Sequence, residues 1–391
     1  MPLKVAIIIE RADITLGGAE RSVCELSGAL AAASLHVEIL AARGNAGPGV
    51  RLLCPHWPGK RVPLAAFARA LVQYLRNHHY DIVHSVLPFD FADVYQPRGG
   101  TYPEAVLRNA VSYRNSLIRT CKTFTAACNI RRFRLGRAER RLCTSPEGPV
   151  IAALSGYVAE QLKQHYNTNP GRIVIIRNGV RTDTPADAGR AAELRRRILA
   201  AFDVRKDIEP VLFLFTANNF RLKGLAPLLE AFSYLGAGCG SYLVVVGADN
   251  TWKFRRMARA LEIDHRVTFL GPLANIQDAL AATDVAVLPT FYDPASRFIL
   301  EALAAAKPVI TTAFNGAAEL FTQNRHGIVI DTPENIPALA QAVIYFTDAD
   351  NIRNASQAII ADNLAEEISI DRVAANLVEL YESILQRKRR K

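Results

Sequence analysis

The residue types best suited to chemistry gather in two polar loops of the second half of the chain. Asp293 and Glu301 close a segment reading Thr290-Phe-Tyr-Asp293-Pro-Ala-Ser296-Arg-Phe-Ile-Leu-Glu301. Ser296 is a natural helix N-cap, which sets the amides of residues 297–299 at a helix mouth that favours an anion. The two carboxylates bracket that helix start, so they can accept hydrogen bonds from hydroxyls at both ends of one ligand. The plainer alternative makes Asp293 a turn former and Glu301 a solvated helix residue. A second loop, Thr216-Ala-Asn-Asn-Phe-Arg221-Leu-Lys223-Gly224, follows an apolar run and carries cations able to neutralise a diphosphate. Gly247 opens a third loop after another apolar run. Near the start of the chain, Leu16-Gly17-Gly18-Ala19-Glu20-Arg21 lets backbone amides approach a phosphate, or merely makes a tight turn. Its spacing is not G-x-G-x-x-G, which disfavours a dinucleotide.

Loops of this kind need strands that end where the loops begin. Leu3–Ile9, His36–Leu40, Asp81–Ser85, Val150–Ala153 and Ile173–Ile176 read as strands in the first half, with helices over Ala19–Ala33, Pro63–Asn77 and Tyr157–Tyr166. The cycle restarts with strands at Val211–Phe215, Tyr242–Val246, Val267–Leu270, Asp284–Leu288, Val309–Thr312 and Gly327–Ile330. Helices are expected between them near Leu225–Leu235, Phe254–Leu261, Ile276–Ala282 and Phe298–Ala305. Continuous rather than alternating apolar strands suit a parallel sheet covered on both faces. Two such series imply an α/β chain with two doubly wound Rossmann-like domains, 1–176 and 177–370, and a break within Asn178–Ala201, where Arg181–Gly189 is turn-rich and polar. An amphipathic helix from Ile370 to Gln386 and a basic tail ending at Lys391 complete the chain (371–391), the helix expected to cross back to the first domain.

The 391 residues are 50% hydrophobic and 21% charged, which excludes wholesale disorder and fibrous architectures. No apolar run is long enough to span a bilayer, and the N-terminus lacks the pattern of a signal peptide, so a cytoplasmic protein is expected. Cys24, Cys54, Cys121, Cys128, Cys143 and Cys239 form no C-x-x-C pair and read as reduced thiols. The net charge of +10 points to an anionic partner: phosphate-bearing small molecules, an acidic membrane surface or nucleic acid. From Arg108 to Arg141 lie nine Arg and one Lys against one acid, Glu139, with Tyr113, Leu117, Phe124, Ile130, Phe133 and Leu142 threaded between. That pattern fits a basic amphipathic helix at a membrane surface better than a nucleic-acid platform, and no nucleic acid is expected.

These motifs together resemble the retaining glycosyltransferases of family 4, whose fold is GT-B, two Rossmann-like domains facing a cleft. Asp293-x7-Glu301 is similar to the family's E-x7-E signature, Gly17-Gly18-Ala19-Glu20-Arg21 to its glycine loop, Arg177-Asn178-Gly179-Val180 to its interdomain motif and Arg221-Leu222-Lys223-Gly224 to its R-K-G loop. Within the family the likeness is strongest to enzymes that glucosylate bacterial lipopolysaccharide core, through Thr101-Tyr-Pro-Glu104, Gln164-His-Tyr and Lys253-Phe254 among other stretches. The resemblance implies transfer of a hexose from a nucleotide-diphosphate sugar such as UDP-glucose to a lipid-linked or phosphorylated saccharide, on the inner face of the cell membrane. It implies that Lys223, helped by Arg221, binds the diphosphate, that Asp293 holds sugar hydroxyls and Glu301 the ribose, and that the segment Phe298, Ile299, Leu300 lies at the phosphates. Gly17, Gly18 and Gly247 would complete the donor site. No metal or cofactor is implied. The chain departs from the pattern at Leu222, where relatives carry arginine, and at Gln96-Pro-Arg98-Gly99-Gly100, where many place His or Asp near the reacting carbon. On this acceptor side Arg98, Glu104 and His84 are the candidates, although a lone histidine at the end of a strand, as His84 is, is more often structural. A nucleotide-sugar epimerase of the same fold, or a non-catalytic anion binder, are the alternatives.

Overall fold

Apolar β-runs separated by Ala- and Leu-rich helices leave the chain one economical solution, a parallel sheet with helices on both faces. The computed structural model describes residues 2–13, 17–58, 61–127, 129–202, 204, 209–236 and 239–390, with backbone alone for 123–127. Leu16, Cys128, Lys391 and the side chain of Phe124 lie outside the described residues. In chain order the first elements are β1 (Lys4–Ala12), α1 (Gly18–Ala32), β2 (His36–Gly44), β3 (Val50–Leu52), α2 (Leu64–Asn77), β4 (Ile82–Ser85), β5 (Val94–Tyr95), α3 (Tyr102–Val111), α4 (Ser116–Ala127), α5 (Ile130–Thr144), β6 (Val150–Ala153), α6 (Gly156–Tyr166) and β7 (Ile173–Ile175). There follow α7 (Ala188–Ala200), β8 (Val211–Thr216), α8 (Leu225–Ser233), β9 (Ser241–Val246), α9 (Trp252–Ala260), β10 (Val267–Gly271), α10 (Ile276–Ala282), β11 (Val285–Leu288), α11 (Arg297–Ala304), β12 (Val309–Thr312) and β13 (Gly327–Ile330). The helices α12 (Ile336–Tyr345), α13 (Ala349–Ala361), α14 (Leu364–Glu367) and α15 (Ile370–Arg390) end the chain.

The chain divides into two units. The first holds Met1–Ala110, Asn115–Val180 and Ser369–Lys391, the second Val111–Arg114 and Arg181–Ile368. The sheet of the first unit runs β3-β2-β1-β4-β5-β6-β7 and that of the second β10-β9-β8-β11-β12-β13, all paired parallel. In each, strand order reverses beside the unit's first strand, at β1/β4 and at β8/β11. Loops leaving the carboxyl ends of those strands diverge there and open a crevice.

The alternation of β1 sorts the first unit's core into two faces. Val5, Ile7 and Ile9 pack with α1 and α15, whereas Ala6 and Ile8 pack with Phe67 and Leu71 of α2. In α15 the buried stripe Val373, Leu377, Tyr381 and Ile384 follows the helical repeat and lies on the core of the first unit. Its entry is fixed by Val180, which bridges Ser369 and accepts the Ile370 amide at 2.8 Å.

The structure corrects the secondary-structure reading in two places. Within the break Asn178–Ala201 the turn-rich part, irregular over 181–187, leads into a helix the sequence reading does not mark, α7, because Ala188–Ala200 is dense in Ala, Leu and Arg and Asp187 caps it by accepting the Arg190 amide. The Arg-rich segment is not one helix but the end of α3 followed by α4 and α5, the last capped by Asn129. Among the described residues no helix is long and apolar enough to cross a membrane.

Candidate active site

In the second unit, both loops singled out by the sequence leave the reversal point of the sheet, one after β8 and one after β11. Each is forced into place by a glycine. Gly224 has φ +83°, and a Cβ there would lie 1.9 Å from the Pro289 carbonyl oxygen, so the loop carrying Lys223 closes on the loop carrying Asp293 only without a side chain. Gly247 has φ +144°, and a Cβ would lie 1.8 Å from the Ala217 carbonyl oxygen. Its amide donates to Gly271, so Gly247 acts as a close-packing point under the Lys223 loop.

This fit brings the Lys223 ammonium to 2.6 Å from an Asp293 carboxylate oxygen and 2.9 Å from the Tyr292 carbonyl. The Asp293 loop is itself pinned. Thr290 Oγ1 accepts from the Tyr292 amide, the Phe291 amide donates to Leu222, and the Asp293 amide donates to Phe314. Asn315, buried and unremarked in the sequence, accepts from the amides of Ser296 and Ala317, both at 3.1 Å, and donates to Thr311. Ser296 caps α11, its Oγ accepting the Ile299 amide at 3.5 Å. The cap therefore takes one of the amides expected to face an anion, and the Leu300 amide is taken by the Ser296 carbonyl. The Leu300 side chain is fully buried in the core. Of the expected segment, it is the amides of Arg297 and Phe298 that stand at the helix mouth, ahead of the first intrahelical acceptor.

Glu301 is not a solvated residue. It is 5% exposed, and its Oε1 accepts from Arg297 Nε at 2.8 Å. A buried carboxylate is costly unless it is satisfied, and the partly buried Arg297 guanidinium one turn earlier, at the helix N-terminus, satisfies it. Arg297 was not singled out as a side chain by the sequence; its position four residues before Glu301 was the available signal. Arg221, expected to help Lys223, turns away. Its guanidinium lies 3.8 Å from the centre of the Tyr113 ring and bonds Ser112 Oγ.

In the first unit, Gly17 is the N-cap of α1 and Gly18 its first residue, so the glycine loop does meet a helix N-terminus after β1. His84 ends up inside the β4 strand, fully buried, its Nδ1 2.6 Å from the Tyr381 hydroxyl of α15. Burial holds its pKa down at about 3, with the nearby Arg98 charge acting in the same direction, so the imidazole is neutral. Arg98 donates from Nη1 to Ser22 Oγ at 2.6 Å and to Asn178 Oδ1 at 3.2 Å, tying α1 to the N-G-V segment. Glu104 sits among Arg108 (2.6 Å), His165 (2.9 Å) and the Tyr157 hydroxyl (3.5 Å). Burial pushes its pKa up, and the bonds from Arg108 and His165 more than reverse this, so it lies below the ordinary glutamate value. A carboxylate held that way is a poor proton acceptor. Of the three acceptor-side candidates, the structure thus engages all within the unit's own polar networks. Among the described residues no group of three or more His, Cys, Asp or Glu is arranged to hold a metal.

The chain is similar to known proteins in sequence and in fold. Residues 16–184 match the family described as Glycosyltransferase Family 4, and residues 197–360 that described as Glycosyl transferases group 1. The lipopolysaccharide glucosyltransferase WaaG of Escherichia coli (strain K12) is 28% identical over 202 residues, 49% of this chain, and the match spans 53% of WaaG, about half its length. A crystal structure of WaaG, described as a glycosyltransferase involved in lipopolysaccharide biosynthesis, superposes with a TM-score of 0.72 at 20% identity over 96% of this chain and 99% of that one. HepE of Anabaena, solved in complex with UDP-glucose, gives 0.69 at 16% identity over 97% and 100%. Two doubly wound units with these structural neighbours constitute the GT-B fold.

Proposed function

We propose, for a chain that belongs to the glycosyltransferases, family 4 in its first half and group 1 in its second, that it moves a hexose from a nucleotide-diphosphate sugar to a lipid-linked or phosphorylated saccharide with retention at the anomeric carbon. UDP-glucose is the donor we infer, by analogy with HepE, whose structure contains it. The observation that carries the reading is the Lys223–Asp293 pair beside the mouth of α11, at the sheet reversal where ligands of doubly wound folds bind. A diphosphate at that mouth competes with Asp293 for the Lys223 ammonium, and the carboxylate so released accepts hydrogen bonds from sugar hydroxyls. Helix dipole and ammonium then stabilise the leaving charge without a metal.

In the reaction the bond from the anomeric carbon to the diphosphate oxygen breaks as the bond to the acceptor hydroxyl forms on the same face. The proton of that hydroxyl passes to the departing phosphate oxygen. This route asks for no protein base, which agrees with a neutral, buried His84 and a Glu104 bound on two sides by cations. Glu301 takes the ribose hydroxyls, the role the family resemblance implies.

An anionic membrane surface is the partner we infer for the first unit. Leu117 and Ile130 are 75% and 67% exposed on α4 and α5, among the Arg side chains of the basic segment, which suits shallow insertion at an acidic leaflet.

The deciding experiment is thermal stabilisation by UDP-, ADP-, GDP- and TDP-hexoses with EDTA present. A shift with the UDP class, shared by free UDP and absent in Lys223→Ala, supports the reading. A folded protein that shifts with none of them overturns it and leaves the non-catalytic binder.

A further inference from the structure

We infer that the groove between α2 and α5 is a binding site for a single anionic phospholipid. It is a cavity of about 790 Å³ lined wholly by residues of the first unit, within the range of sites that enclose a small organic ligand. Four arginines face it. Arg69 and Arg76 come from α2, Arg134 and Arg141 from α5. Each pair is seven residues apart, so its members share a helix face about 10 Å apart along the axis. Asp90 is the one acid in the lining. Elsewhere on the same segment arginines are matched with acids, Arg108 with Glu104 and Arg131 with Glu10. None of the four groove arginines has an ion-pair partner among the described residues.

All four are solvent-exposed along one groove, so together they present an open cationic rim, and guanidinium geometry suits the paired oxygens of a phosphate. The less exposed part of the lining is of the opposite character and includes Leu64, Val72, Phe89 and Phe91 as an apolar floor. An inorganic phosphate or a soluble polyanion would leave that floor in water, whereas an acyl chain covers it. The ligand chemistry the lining selects is therefore a phosphate joined to an apolar chain. α5 is held rigidly enough to present its half of the site. Buried Glu139 accepts from the Tyr95 hydroxyl at 2.7 Å, the Tyr102 amide at 2.8 Å and the Tyr166 hydroxyl, fastening α5 to β5, α3 and α6. The inference rests on the reading of an anionic lipid surface as partner and adds a defined headgroup site to it.

The test is titration calorimetry of the full chain with monomeric dihexanoyl phosphatidylglycerol, dihexanoyl phosphatidylcholine and glycerol phosphate. The phosphatidylglycerol should bind at least tenfold more tightly than either of the others. The double variant Arg69→Glu/Arg134→Glu should weaken it tenfold or more. Arg137→Glu/Arg140→Glu, the same charge change on α5 outside the lining, should leave it within twofold. Equal weakening in both variants, or no preference for phosphatidylglycerol, overturns the site, and thermal melts of each variant confirm folding. Flotation on phosphatidylglycerol vesicles separates the two readings: wild-type protein that floats but does not bind the monomeric lipid defeats the groove alone, and protein that does not float defeats the membrane reading beneath it.

Discussion

His84 shows how a residue type that invites a catalytic reading is disarmed by its surroundings. A histidine at the end of a strand on the ligand-binding edge is a candidate base, yet burial keeps its pKa at about 3 and Tyr381 takes its Nδ1. Between an unfolded value near 6.5 and the folded value, the unfolded chain binds a proton that the native state refuses. His84 therefore contributes its full stability above pH 6.5 and loses it as pH falls toward 3, at about 1.4 kcal/mol for each pH unit crossed. Chemical denaturation across that window should show a steeper acid loss in the wild type than in His84→Gln, and parallel curves would refute the assignment. Lys223 is the opposite case, a surface-type residue made specific by its partners. Lys223→Ala removes the charge that we assign to the diphosphate, and hexose transfer should fall by about 100-fold or more with the melting temperature nearly unchanged. Loss of activity together with loss of fold would instead make Lys223 a structural tie to Asp293.

At the scale of elements, loops as much as helices decide whether the site exists. Asn315, buried to 1% exposure, makes three side-chain hydrogen bonds and through one of them, accepted from the Ser296 amide, holds the turn before α11. Asn315→Ala leaves the Ser296 and Ala317 amides without that acceptor, and stability should drop by about 1–3 kcal/mol. Because Asp293 also pairs with Asn315 through the backbone, KM for the donor should rise more than kcat falls. Gly224→Ala drives a methyl onto the Pro289 carbonyl at a positive φ, and should damage donor binding as well as folding. The strands are legible in the sequence because buried parallel strands leave long apolar runs; β12 and β13 fall on the very residues their runs mark. The short strands β3 and β5 leave no such run and cannot be read that way. The Asp293–Glu301 and Lys223 loops are legible because their residue types are conspicuous at the end of apolar runs. Asn315 is not, since an asparagine in a turn looks the same whether it caps its own loop or pins another. The pairing of Arg221 with Ser112 and Tyr113 is hidden for a related reason: its partners lie more than a hundred residues away.

At the scale of the whole molecule, the order of the chain and the order of the cores differ. The first unit is not finished when its sheet is finished, for the chain leaves it at Val180, builds the second unit, and returns at Ser369 to add α15. That helix places Ile370, Val373, Ala374, Leu377, Leu380, Tyr381 and Ile384 in the core beneath β1 and α1. At about 1.5–3 kcal/mol for each large apolar side chain, the helix supplies on the order of 10 kcal/mol, comparable with the entire stability of an ordinary domain. A chain stopped before Ile370 should therefore lose the first unit's cooperative melting transition. The second unit, continuous from Arg181 to Ile368 apart from four residues, should keep its own transition and, if the donor site is as assigned, its stabilisation by UDP. Two-transition calorimetry of the truncated chain with and without UDP reads both at once. Survival of the first transition would mean that β1 and α1 close their core without α15. A second transition that persists but no longer responds to UDP would mean that donor binding draws on residues outside the second unit.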